Sequence, residues 1–192
     1  AAEKCDAVVL EVGLGGRLDA TNVIAAPEAA VITNIGLEHT AILGHTLPEI
    51  AREKAGIIKP GTTAVTYPVD AAVDAMYREI CAGRGAAWRP ARFDALRKRA
   101  HSLAGQRFDY KEEKDLTLHL LGEHQLHNAA LAIETIGVLR EKGWSIPESA
   151  LREGLSAARW EARFELLRSH PTVIADGAHN PQCVEALARS LD

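Results

Sequence analysis

Four apolar runs, residues 7–12, 30–35, 63–67 and 172–175, constrain this chain more than any other feature. They are short and rich in Ala, Val and Ile, and none shows the strict alternation of a half-wetted strand. Each therefore predicts a strand buried on both faces, the kind found in parallel sheets covered by helices. Three of them run straight into glycine and functional side chains. Gly-Leu-Gly-Gly-Arg-Leu-Asp-Ala-Thr-Asn follows Val12, Gly-Leu-Glu-His-Thr follows Ile35, and Asp-Gly-Ala-His-Asn follows Ala175. Open parallel sheets bind ligands at that carboxyl edge. The expected class is α/β, a largely parallel sheet flanked by helices.

The helices between these strands are punctuated by their own chemistry. Thr46 and Glu49 form a capping box around Pro48, predicting a helix over 47–55 with Gly56 as its stop. Leu47, Ile50 and Ala51 are its apolar face, and one further turn brings Lys54 onto that face. A second helix over 69–82 carries Val73, Met76, Tyr77 and Ile80 on one side and ends at Gly83. The pattern loosens over 85–114, with short strands expected near 102–110 and 116–121. A buried helix over 127–142 closes at Gly143, another runs from Pro147 to about Ala158, and a last one starts at Pro181 behind the Asn180 cap. Residues 160–170 read as a linker.

The chain has 192 residues, nearly half of them hydrophobic and a quarter charged, which suits one good core and the beginning of a second. It lacks a run of eighteen apolar residues, which argues against a membrane partner, and with no secretory pattern at its start a cytoplasmic location is expected. Cys5, Cys81 and Cys183 are far apart and in no CxxC pair, which fits reduced thiols better than disulfides or zinc. A net charge of -4 without a basic stripe argues against nucleic acid. The abrupt opening on a strand pattern and the βα unit near the end read as a piece cut from a longer protein.

Taken by residue type, the loops leave alternatives open. The first resembles a dinucleotide fingerprint, but GxGxxG from Gly13 would need glycine at Leu18. Its glycines suit either a tight turn or a place where backbone meets ligand. Glu11, inside a strand read as buried, requires a positive partner, whether a basic side chain or a metal. His39, at the next strand's edge, is a loop imidazole or a second ligand. Magnesium takes one or two protein groups plus substrate phosphates, although an imidazole ligand also suits manganese. Lys54 either snorkels to water or, desolvated, keeps enough neutral amine to react with carbon dioxide and become a carbamate. His119, His124 and His127 lack the HExxH order of a zinc helix. Asp176 and His179 sit just before a helix start, which favours anions.

Read in order, EVGLGGRLDATN, ITNIGLEHTAILGHTLPEIAREKAGIIKPG, GEHQLHNAALAI, RFE and IADGAHNP closely resemble the folylpolyglutamate synthase/dihydrofolate synthase branch of the Mur-type ligases. The likeness covers nearly the whole chain. It implies a P-loop NTPase-like central domain over 1–160 lacking its N-terminal part, then a linker and the first βα unit of a Rossmann-like C-terminal domain over 161–192. It also implies an ATP- and Mg2+-dependent amide-forming ligase, monomeric, that joins L-glutamate to dihydropteroate or folate through an acyl phosphate. By motif match, Glu11 and His39 would hold the magnesium and Lys54 would be the carbamylated lysine. Asn128, Arg163 and Asp176 would meet ATP, Asp19 and Ala20 the pterin, and His179 the phosphate and incoming glutamate. A glycine-rich phosphate loop would precede Ala1. Two departures stand out: Glu161-Ala162 replaces the usual Pro-Gly before Arg163, which bears on how Arg163 is held, and Glu38 replaces aspartate before His39. Besides the ligase, the same fold could serve as a nucleotide-binding module without catalysis.

Overall fold

The computed structural model describes residues 5–191, and the side chains of residues 181 and 182 are left aside. The chain divides into two compact units, residues 1–64 with 68–89, and residues 65–67 with 90–192.

The first unit is layered α/β. Strands β1 (Ala29–Ile32), β2 (Thr63–Thr66) and β3 (Ala87–Pro90) form a parallel sheet in the order β1-β2-β3, with the last residues of β2 and β3 running into the second unit. Helices supply the crossovers: α1 (Thr40–Leu43), α2 (Leu47–Lys54) and a 3-10 turn at Ala55–Ile57 join β1 to β2, and α3 (Ala71–Arg84) joins β2 to β3. The predicted capping box holds α2, with the Thr46 hydroxyl accepting from the Glu49 N–H and the Glu49 carboxylate reaching back. Asp70 caps α3, which runs two residues past the predicted stop to Gly85 in the left-handed region. Ile32, Ile50, Ala51, Val73, Met76 and Tyr77 meet in the core, where the predicted faces of α2 and α3 put them.

In the second unit, β4 (Leu96–Ser102), β5 (Gly105–Tyr110) and β6 (Glu113–Leu118) make an antiparallel sheet covered by α4 (Glu123–Glu141) and α5 (Glu148–Ala157). The loosened stretch of sequence is thus a sheet, and the strand expected over 102–110 is the end of one strand, a tight turn and a second strand. Glu134 of α4 is 4% exposed, accepts from the Tyr110 hydroxyl at 2.6 Å and pairs with Lys111. Two further strands, β7 (Glu165–Ser169) and β8 (Thr172–Ala175), pair antiparallel ahead of α6 (Pro181–Leu191).

Two strand expectations and one linker expectation need correction. Residues 7–12 form no strand among the described residues, and Val8 and Val9 are 70% and 97% exposed. A strand exists only through a ladder partner, and this run has none here. Residues 172–175 are a strand, but half-buried and antiparallel to β7 instead of doubly buried in a parallel sheet. Much of the presumed linker, 160–170, is the strand that pairs with it. Cys81 is a core residue, whereas Cys5 is exposed and Cys183 half-buried. Among the described residues no helix is long and apolar enough to cross a membrane.

Candidate functional site

In the first unit the glycine-rich loop owes its shape to packing. Gly15 and Gly16 are buried at φ 65° and 157°. A Cβ on Gly15 would lie 2.8 Å from Leu43 Cδ2, and one on Gly16 2.9 Å from the Lys54 carbonyl oxygen. Gly56 answers from the other side, because a side-chain carbon there would enter the backbone of Arg17. Arg17 completes the seat: its N–H donates to the Glu53 carbonyl at 2.9 Å and its Nε donates to both Glu53 carboxylate oxygens at 3.1 Å. The loop that follows Glu11 is therefore clamped onto the end of α1 and the C-terminus of α2. That clamp sets the residues after Glu11 against the end of the helix that His39 precedes and against the backbone of Lys54.

Asp19 holds this loop from within. Its Oδ1 accepts from the Thr21 N–H at 2.9 Å and hydroxyl at 2.6 Å, and its Oδ2 from the Leu14 N–H at 2.9 Å. The Thr21 hydroxyl, with those N–H groups, holds the carboxyl down to about 2. Ala20 is exposed beside it. Asn22 adds donations to the Arg17 and Gly56 carbonyls.

The three candidate metal-site side chains are left outside this scaffold. Glu11 and His39 are exposed and Lys54 is half-buried. Among the described residues none of the three is spent on a hydrogen bond or ion pair. His39 occupies the N-cap of α1 in the left-handed region, φ 50°, without capping it. A non-glycine residue there carries strain of about 1 kcal/mol. One carboxylate and one imidazole, both open to solvent, suit a divalent ion whose remaining ligands are waters and substrate phosphates. Among the described residues no group of three or more His, Cys, Asp or Glu could hold a metal alone.

The candidates of the second unit are, by contrast, woven into their loops. Asp176 Oδ2 accepts from the Phe164 N–H and Oδ1 from the Ala178 N–H, both at 2.7 Å, and the Gly177 N–H donates to the Ala162 carbonyl at 2.8 Å. Arg163 lies over Gly177, and Ala162 and Phe164 on either side of it have φ of 54° and 49°. A glycine before Arg163 would adopt that backbone without cost, so Ala162, where the resemblance leads one to expect glycine, carries strain. His179 is exposed, with Nδ1 against the Gly177 carbonyl at 2.9 Å. Asn180 caps α6 through the Cys183 N–H at 2.8 Å. Asn128, exposed on α4, donates to Gln125 at 3.2 Å.

The clustered histidines separate in space. His119 Nδ1 meets the Ala104 carbonyl, and His127 stacks on Phe93 and bonds the Tyr67 hydroxyl at 2.9 Å. His124 stands near the Asp176 and Arg163 charges, a placement that its wrong zinc-motif order concealed. Gln106, Arg17 and Glu53 also escaped the sequence reading, since their partners lie far off in the chain.

The sequence and the fold have counterparts in known proteins. The Mur ligase middle domain family model matches residues 1–136. The chain belongs to the Mur ligase family. Among curated Mur-type relatives, it is 44% identical over 198 residues to the dihydrofolate synthase/folylpolyglutamate synthase of Bacillus subtilis, covering 98% of this chain and 45% of that protein. It is 38% identical over 195 residues to the folylpolyglutamate synthase of Lacticaseibacillus casei, covering 97% and 45%. A solved folylpolyglutamate synthase complex with AMPPCP and folate superposes with a TM-score of 0.86 at 36% identity, over 95% of this chain and 46% of that one. The chain thus spans about half the length of the curated relatives it matches.

Proposed function

We propose that the full-length protein containing this chain is an ATP- and Mg2+-dependent acid–amino-acid ligase that joins L-glutamate to dihydropteroate, to folate tails, or to both. The observation that supports this is a glycine loop packed on Leu43 and the Lys54 backbone, with the side chains of Glu11, His39 and Lys54 not spent on the described fold. Polar groups whose hydrogen-bonding capacity is not used by the fold are the ones available to a ligand. The relatives' names and the AMPPCP and folate complex support the same reading. AMPPCP is an ATP analogue that cannot pass on its γ-phosphate.

In this reading the substrate carboxylate attacks the γ-phosphorus of ATP, an O–P bond forms, and ADP leaves. The glutamate amine then attacks the acyl carbon, inorganic phosphate departs, and the amine gives up a proton. Glu11 and His39 would hold Mg2+, which neutralises phosphate charge during transfer. Lys54, as its carbamate, would present an oxygen anion to the same region. Asn128, Arg163 and Asp176 would position the nucleotide, an arrangement suited to a reaction whose catalysis is mostly alignment and charge neutralisation. His179 donates Nδ1–H to the Gly177 carbonyl, which leaves the Nε2 lone pair to take the amine's proton. Asp19 and Ala20 would border the pterin, with Asp19 acting chiefly through the loop that it clasps. We place the boundary between central and C-terminal domains near residue 160 and expect a cytoplasmic monomer.

The test is glutamate-dependent ADP release by the full-length protein given dihydropteroate or folate, compared with its Lys54→Ala variant. The proposal expects turnover in the wild type and a loss of about a hundredfold or more in the variant. Unchanged turnover in the variant would remove Lys54 from the mechanism, and no glutamate-dependent release in the wild type would remove the ligase.

A further inference from the structure

The start of α4 carries an imidazole that the reading above leaves without a task. Gly122, just before the helix, has φ 98°. A Cβ there would come within 2.6 Å of His124 Cε1 and 2.6 Å of Ser190 Oγ. The His124 ring, from α4, and the Ser190 hydroxyl, from α6, therefore flank the same backbone atom from two helices. The turn they press against is fixed from behind. Gln106, 3% exposed, donates its side-chain amide to the Leu120 carbonyl at 2.8 Å and to the Gly122 carbonyl at 3.0 Å. Ser190 is tied to its own helix by donating to the Ala186 carbonyl at 2.7 Å.

We infer that His124 is a positioning residue for the nucleotide: lodged with Ser190 against the Gly122 turn, its ring sets where α6 and the Asp176 loop rest on the start of α4. This rests on the ligase reading, in which Asp176 and Arg163 meet the nucleotide. Asp176 spends one carboxylate oxygen on Ala178 of its own loop and the other on Phe164, so the docking of those segments decides where the remaining lone pairs point. The charged groups that reach the ring are Asp176, His127, Arg163 and Arg189. Burial is the main reason that its pKa is lowered, which favours the neutral ring. A neutral wedge beside Arg163 adds no repulsion to that guanidinium, and a small polar replacement would leave a gap that lets α6 settle differently.

The experiment measures AMPPCP affinity by calorimetry, and nucleotide KM and kcat, in the full-length protein and its His124→Ala, His124→Asn and His124→Phe variants. His124→Ala should raise the nucleotide Kd and KM about tenfold. kcat at saturating nucleotide should stay within about twofold. His124→Phe, which keeps the ring volume, should recover affinity to within about threefold of wild type, and His124→Asn should not. If the alanine variant does not fold, the contrast between Phe and Asn decides the matter alone. Equal affinities across the folded variants and wild type overturn the inference while leaving the ligase reading standing. No AMPPCP binding by the wild type overturns that reading, and the inference with it.

Discussion

Asp19 and Asp176 do the same work in different settings. Each carboxylate accepts from backbone N–H groups, Asp19 within its own loop in the first unit, Asp176 from its own loop and from Phe164 ahead of β7 in the second. Around Asp19 the neighbouring candidates Glu11, His39 and Lys54 stay unengaged, whereas around Asp176 the surroundings are drawn into the clasp, with Arg163 over Gly177 and His179 against its carbonyl. On the proposed function, the first loop would keep scaffold and chemistry on separate residues, while the second would make the same residues serve both. A substitution in the second should disturb fold and binding together, and one in the first should separate them.

The largest effect expected from this contrast is at Gly56. Gly56→Ala drives a methyl group into the Arg17 backbone, which cannot yield as a flexible side chain would. It should destabilise by about 3 kcal/mol in denaturant unfolding of the full-length protein. A midpoint within error of wild type would show that the loop is not clamped. Next comes Asp176→Ala, which strips two charge-assisted hydrogen bonds from the clasp and should cost about 2 kcal/mol. AMPPCP affinity should fall with it, and a variant that lost one without the other would break the idea of shared duty.

Acid should single out the Asp19 clasp. Its folded pKa, about 2, lies below the ordinary 3.8, so its contribution is in place above about pH 5 and is lost as the pH falls toward 2. Asp109, held to about 2 chiefly by the Arg99 guanidinium, adds a loss of the same sign in the second unit. Unfolding midpoints measured from pH 6 to 3 should therefore fall, and less steeply in Asp19→Asn. Equal slopes would contradict the clasp. The smallest effect is a gain. Ala162→Gly relieves a left-handed alanine, offset in part by the freer unfolded chain, and should stabilise by about 0.5 kcal/mol, read as a small rise in Tm.

How much of this was legible depended on how local the cause is. The Thr46–Glu49 capping box, the Asn180 cap and the faces of α2 and α3 are set within a turn or two of helix, and the sequence displayed them. Residues 7–12 carry the composition of a buried strand, but pairing is a property of neighbours elsewhere in the chain. Gly56 looked like a helix stop because that is the usual local reason for glycine. Its actual reason, the Arg17 backbone, lies 39 positions earlier. Arg17 with Glu53, Gln106 with Gly122, and the β7 partner of β8 were hidden for the same reason. In the candidate site, residue types and motif order pointed to Glu11, His39 and Lys54, but the packing of Gly15 and Gly16 against Leu43 and the Lys54 backbone was not legible there.

The central claim is that Glu11 and His39 offer their unspent side chains to one divalent ion. It is tested most directly by titrating Mn2+ into the full-length protein with AMPPCP present and following bound metal by electron paramagnetic resonance, for wild type, Glu11→Gln and His39→Ala. One tight site is predicted for the wild type, weakened about tenfold or more in each variant. Identical Mn2+ affinity in all three proteins would contradict the account.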